Sequence, residues 1–334
     1  VLLTCAGCHY FISKPIYQYQ TSVRLEKLIM RVHILSLLAA LLVQGAVRSQ
    51  TADEEFAFCG DCWCIPADGE TCPYDSIPET QWSVEMINNL AGMTLVNPLS
   101  LSCNPYSDDQ CDTDPPLESG SVCAAEIIAS GDTCPDDYLY RLHTVASKEE
   151  AEADGFIVTH EGACGVCSSL QDLSVYMASP DLSDSGIKCA FRALANITDG
   201  VECYKELGFS DACAAIWLYN TQYTSSMCLT PCLQHASSGL PNNGPAPGCE
   251  LVECMQCDED VSGPLFKKFA ARTRRASGLL SQIVRPCNAV PKVIHVDPCT
   301  LFTDSPTKSP TSDGSTRASA VLLGILVFLS AVAV

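Results

Sequence analysis

The sequence predicts a mainly α-helical, disulfide-rich protein in which an irregular cysteine-rich segment precedes a helical, disulfide-stapled domain. Three observations predict it. Of the 22 cysteines in 334 residues, all but Cys5 and Cys8 lie between Cys59 and Cys299. Residues 30–49 read as a secretory signal, which takes the chain into an oxidising compartment where an even set of cysteines forms bridges. From residue 161 onward apolar residues recur at helical spacing, whereas Pro and Gly break up the stretch before it.

Residues 1–29 have no sustained periodicity and read as upstream sequence outside the working protein. At Met30 the pattern changes: Arg31 gives a short positive region, Ile34 to Val43 an apolar run, and Val47 to Ser49 the small or apolar residues before a cleavage site. An apolar run of about ten residues is too short to span a bilayer roughly 30 Å thick. Toward the other end, 303–317 is a Ser/Thr/Pro stalk with too few apolar residues to pack. It leads into an apolar tail, 318–334. Ser312, Asp313 and Gly314, a polar spacer and that tail fit a glycolipid attachment signal, with Ser312 as the expected attachment residue. A short single-pass membrane helix is the rival reading.

The formal charge is −20. A surface this acidic repels phosphate backbones and anionic lipid, which argues against nucleic acid as a partner and against general membrane adsorption. The expected contacts are an extracellular partner or ligand, and the membrane through the C-terminal anchor. Asn196, in the triplet Asn-Ile-Thr, is a glycosylation acceptor.

Within 50–160, Pro66, Gly69, Pro73 and Pro78 favour loops, with one helix expected where Trp82, Met86, Ile87 and Leu90 recur before Gly92. "PYSDDQCDTDPP" and "SGDTCPDDY" read as acidic loops. Within 161–302, Leu170, Leu173, Tyr176 and Met177 line one face of a helix that stops before Pro180. Two further helices are expected around Cys189 and Cys213, with Phe191, Leu194, Ile216, Trp217 and Tyr223 packed inward. After the break "SSGLPNNGPAPG" come two more. The last turns Leu265, Phe266 and Phe269 inward and Lys267, Lys268, Arg272 and Arg275 outward.

No nucleophile elbow, H-E-x-x-H, P-loop or dinucleotide fingerprint is present, and no residue is nominated as catalytic acid, base or nucleophile. No cofactor is expected. "DEDVSG" begins like a calcium loop, with oxygens at Asp258, Asp260 and Ser262, but Phe269 stands where a bidentate Glu is needed. A helix start at Ser262 and Pro264 is the favoured alternative. "RTRR" (Arg272 to Arg275) meets the minimal dibasic processing pattern; a solvated basic helix face is favoured over a cleavage site.

Two C-x-x-C pairs, "CGDC" (Cys59, Cys62) and "CGVC" (Cys164, Cys167), resemble the active pair of thioredoxin-like oxidoreductases. Cys164 and Cys167 have the strand-to-helix setting that lowers a thiol pKa, so a redox pair is the alternative function. The cysteine spacing of 161–235 resembles the saposin-like helical domain: Cys164 and Cys167, then Cys189, Cys203, Cys228 and Cys232. In that family the outer pairs bridge first helix to last and the middle pair closes a hairpin. The resemblance implies Cys164–Cys232, Cys167–Cys228 and Cys189–Cys203, and a lipid-handling interior. Cys213 is one cysteine beyond the pattern; its expected partner is Cys249, Cys254 or Cys257, across the linker. "CGDCWC", "HEGACGVCSSLQDLSVYM" and "CDEDVSGPLFKKFAARTRRASGLLS" make the chain similar to cysteine-rich secretory proteins of diatoms and related microalgae, which implies a secreted or surface location and no activity. The sequence reading is therefore a cell-surface, non-catalytic binding or structural ectodomain in which Cys164 and Cys167 bond to distant partners.

Overall fold

The computed structural model describes residues 64–67, 69–70, 82–111, 121–131, 133–245, 248–279, 281 and 283–301. The upstream and signal segments, the Cys59/Cys62 pair, the stalk with Ser312, and the apolar tail lie outside the described residues.

The architecture is α+β, which corrects the expectation of a mainly helical chain. The stretch read as irregular contributes a four-stranded mixed sheet: β1 (Thr94–Leu95), β2 (Val122–Ala129), β3 (Leu139–Val145) and β4 (Ile157–Glu161), in the order β1-β3-β2-β4. β2 is antiparallel to both β3 and β4, and β1 runs parallel to β3. Successive side chains of a strand point to opposite faces, and β2 is covered on both. Cys123 and Ala125 enter the main core with Tyr140 and Leu142 of β3. Val122 and Ala124 face the other way, into a small cluster with Val145, Ala151, Phe156 and Val158. Ala151 belongs to α2 (Lys148–Ala153), a short helix that Ser147 caps through the Glu150 amide.

The main core continues into the helices without a break. α1 (Val84–Gly92) and α3 (Leu170–Ala178) start at Ser83 and Ser169, whose hydroxyls accept the Met86 and Asp172 amides at 3.0 and 2.9 Å. Such caps satisfy one of the donors a helix start leaves open. Met86 and Leu90 of α1 and Leu170 and Leu173 of α3 share the core with sheet residues. α4 (Ser183–Ala195) and α5 (Ile197–Glu206) form a hairpin against α6 (Asp211–Met227), with Asn196 between them. The aromatic centre is Tyr176, Tyr204, Phe209, Trp217 and Phe266; the Trp217 indole donates to the Tyr176 hydroxyl at 3.0 Å. α7 (Leu229–Ser238), α8 (Glu253–Val261) and α9 (Gly263–Ala270) complete the helical side.

Two expectations about helix faces are corrected. Phe191 and Leu194 do not pack inward; α4 buries Cys189 and Ala193 instead and leaves its large apolar residues exposed. α9 stops at Ala270, and Ala271, with φ +60°, turns the chain. Arg272 therefore leaves the helical phase and goes inward.

Candidate functional site

The CGVC turn, the end of α9 and the edge strand β4 meet at the one fully buried arginine among the described residues. The last carbonyls of a helix have no partner within it. Those of Phe269 and Ala270 accept the amides of Val166 and Cys167 at 3.0 and 3.1 Å, so the CGVC turn caps α9. The approach is close: a Cβ on Gly165 would stand 2.6 Å from both Ala271 Cβ and the Phe269 oxygen. Glycine is required here for space.

Arg272, 0 % exposed, spends its guanidinium on this junction. Nε donates to the Cys167 carbonyl at 2.9 Å and Nη2 to the Ser168 carbonyl at 2.9 Å. Nη1 donates to the Thr159 carbonyl and to Ser277 Oγ, each at 3.0 Å. The Glu161 amide, two residues along β4, is taken by the Ala276 carbonyl at 2.8 Å. Arg272 and Ala276 thus pair the outer edge of β4 where a further strand would otherwise bind. Burial lowers the Arg272 pKa to about 10, with buried Asp172 acting in the other direction, so the charge is retained at neutral pH. Asp172 accepts the amide and hydroxyl of Ser210 and so ties α3 to the start of α6. Burial raises its pKa.

His160 and Ser168 look, at first, like two members of a hydrolytic triad. His160 Nε2 is 2.7 Å from Ser168 Oγ, and its Nδ1 is 2.8 Å from the Glu161 carbonyl. A carbonyl only accepts, so the imidazole proton sits on Nδ1 and the serine hydroxyl donates to Nε2. The same hydroxyl accepts the Gly165 amide at 2.8 Å. Both side chains are fully buried, and desolvation, followed by Arg272, holds the His160 pKa well below its usual value. A nucleophile needs a path to substrate and a carboxylate or equivalent behind its base; a carbonyl stands there instead. His295 is held similarly, 2.8 Å from the Ser277 carbonyl and edge-on to Trp82, with its pKa lowered to about 4 by burial.

The CGVC cysteines are not a redox pair. Cys164 is bonded to Cys123 on β2 and Cys167 to Cys213 on α6, which also replaces the expected Cys164–Cys232 and Cys167–Cys228 bridges. The first-helix-to-last-helix pairing failed because residues 162–167 lie between the sheet and α9, away from α7. Cys228 and Cys232 pair instead with Cys257 and Cys254 on α8, and Cys213, expected to cross the linker, does not. Cys189 and Cys203 are joined across the α4–α5 hairpin. The saposin-like lipid interior has no basis in this pairing. Three further bridges, Cys64–Cys287, Cys103–Cys111 and Cys134–Cys299, anchor loops and the C-terminal segment.

The calcium candidates are also corrected. Asp258 and Asp260 lie on α8, where residues two apart point in different directions. Asp258 Oδ1 is engaged by Thr224 and Ser262, and Asp260 by Gln256. Among the described residues no group of three or more His, Cys, Asp or Glu is placed to hold a metal ion. Arg274, the third residue of RTRR, lies 5.5 Å over the Tyr176 ring and donates to its carbonyl at 2.6 Å. The motif is built into the fold, which corrects its reading as a solvated face. Sequence reasoning missed Arg272, His160 and Ser168 as one unit. A signal existed in the Gly of CGVC, and none in the sequence around Ala271.

Fold and site together define a disulfide-stapled α+β protein whose polar residues at the centre serve its structure. Bridges of this number mark a protein of the secretory pathway or extracellular space. Residues 197–293 match a family of unknown function (DUF8771). No curated protein and no solved structure matches the chain. The matched segment is not self-contained: Cys203, Cys213 and Cys287 bond to Cys189, Cys167 and Cys64 outside it, and Arg272 reaches out to β4 and the CGVC turn. No helix among the described residues is long and apolar enough to cross a membrane.

Proposed function

We propose that the protein is a secreted or membrane-tethered ectodomain that acts as a non-catalytic binding or structural component of the cell surface. The observation that carries this reading is the consumption of every chemically suggestive group at the centre by the fold itself. The CGVC sulfurs hold β2 and α6, its amides cap α9, and the Ser168–His160 pair is sealed beneath Arg272. What remains for function is the outer surface of a rigid, cross-linked body. The signal-like segment at 30–49 and the apolar run at 318–334 support delivery to the surface and tethering there, with Ser312 as the lipid attachment residue.

The test is non-reducing peptide mapping of the natural protein, combined with phospholipase treatment of intact cells. Cys164 should appear with Cys123 and Cys167 with Cys213, with neither thiol open to alkylation. A Cys164–Cys167 bridge, or a labile pair, would overturn the non-catalytic reading. Phosphatidylinositol-specific phospholipase should release the protein; retention after a demonstrably active digestion would overturn the glycolipid tether.

A further inference from the structure

The hairpin of α4 and α5 carries an apolar stripe on its outside. Ile187, Phe191 and Leu194, four and three residues apart, share one side of α4, and Ile197 opens α5 beside them. They are 46, 44, 48 and 49 % exposed. Other large apolar side chains are exposed elsewhere, Val84, Leu240 and Ile294 among them, but these four are grouped on one hairpin, and a grouped apolar strip needs an occupant. The hairpin itself is rigid: Cys189–Cys203 closes it, and Arg192 of α4 pairs with Glu206 of α5.

At the apex of this stripe sits Asn196, the asparagine of the only Asn-x-Ser/Thr triplet in the chain. Its side chain is exposed, two residues after Leu194 and directly before Ile197. Its oxygen caps α5 by accepting the Thr198 amide at 3.1 Å, which fixes the orientation of the amide group. One hydrogen of Nδ2 faces Asp199 Oδ1 at 3.4 Å and the other remains for substitution. The geometry therefore joins an attachment atom held in one direction to an uncovered apolar strip beginning one residue away.

We infer that Asn196 carries an N-linked glycan whose innermost sugars lie along Leu194, Phe191 and Ile187 and cover the stripe. This rests on the secretory reading above. In the transfer, Nδ2 forms a bond to C1 of an oligosaccharide carried on a lipid pyrophosphate, the C1–O bond to that pyrophosphate breaks, and the amide gives up one proton. The cap survives, because it uses the oxygen. An N-acetylglucosamine ring presents C–H groups on one face and hydroxyls around its rim, so it shields apolar side chains while remaining wetted itself. A glycan at this point is a solubilising cover for a surface that would otherwise associate.

The experiment uses the full chain produced through a eukaryotic secretory pathway. The exported, fully oxidised protein is digested and the peptide containing Asn196 is weighed before and after peptide-N-glycosidase treatment in heavy-oxygen water. Occupied Asn196 is expected. The enzyme leaves aspartate, itself a good helix cap, so the treated protein keeps its hairpin while losing its cover. It should then show a several-fold rise in anilinonaphthalene sulfonate fluorescence and concentration-dependent self-association in sedimentation velocity. Thr198→Ala, which abolishes the acceptor triplet and keeps the Asn196 cap, should behave alike; adding Phe191→Ser and Leu194→Ser should reverse both changes. An exported, oxidised product with bare Asn196 would overturn this inference alone. So would an occupied site whose removal changes neither dye binding nor association. A product that never enters the pathway would overturn the secretory reading as well.

Discussion

Replacing Arg272 by methionine tests whether the guanidinium organises the centre of the fold. Arg272→Met leaves the carbonyls of Thr159, Cys167 and Ser168 buried without their donor. Each orphaned group costs about 1–3 kcal/mol, or about 6 kcal/mol for the set at mid-range. Against this, the substitution removes a charge held in a dry site. Its pKa of about 10, against the ordinary 12.5, corresponds to about 3 kcal/mol of unfavourable charging that methionine escapes. The net expectation is a loss of about 3 kcal/mol. Guanidinium unfolding with disulfides intact, followed by the fluorescence of Trp217 in the aromatic centre, measures it. Hydrogen exchange should quicken at the Glu161, Val166 and Cys167 amides, which the same junction holds. Arg272→Lys retains the charging cost but supplies a compact ammonium in place of a flat fork, and is expected to be no closer to the parent than Met. A methionine variant within about 1 kcal/mol of the parent, or a lysine variant equal to it, would refute the reasoning.

Gly165→Ala forces a methyl against Ala271 and the Phe269 carbonyl, and should cost about 1–3 kcal/mol by the same assay, whereas no loss would mean that the CGVC turn is free to move off α9. His295, with its pKa lowered to about 4 from 6.5 by burial, takes up its proton in the unfolded chain first. Stability is complete above about pH 6.5 and falls toward pH 4, by roughly 3 kcal/mol from this residue; His160 works in the same direction and Asp172, with its raised pKa, in the opposite one. His295→Gln should flatten that part of the profile, and an unchanged slope would count against it. Proteolysis within 239–248 should leave two fragments joined by Cys228–Cys257, Cys232–Cys254, Cys64–Cys287 and Cys134–Cys299 until reductant is added; separation on a non-reducing gel would contradict all four pairings.

The helices from residue 161 onward were legible because their apolar residues repeat where packing needs them, as at Leu170 and Leu173. The sheet was legible only in part. Tyr140 and Leu142 alternate with Arg141 and His143 in β3, a two-residue period that the sequence displays. β2 hides its period, because a strand buried on both faces reads as the continuous run Val-Cys-Ala-Ala. On α4 an apolar period was present but its direction was not. The inward face carries Cys189 and Ala193, small enough for Gly200 of α5 to come within reach, so the bulky residues were left outside. Arg272 was assigned to the surface by continuing a helical count past Ala270. A single left-handed residue at Ala271 shifts that count, and nothing in an alanine announces it.

The span of the disulfides sets an order of synthesis. Cys103–Cys111 and Cys189–Cys203 close over 8 and 14 residues and can form while the chain is still emerging. Cys64–Cys287 and Cys134–Cys299 close over 223 and 165 residues, so Cys64 and Cys134 must wait as thiols while their neighbours oxidise around them. A chain built this way depends on a compartment that breaks wrong bridges as readily as it makes right ones. Its yield in any host is set by thiol exchange after translation, and strongly oxidising conditions that trap Cys64 early would give less native protein than mildly reducing ones.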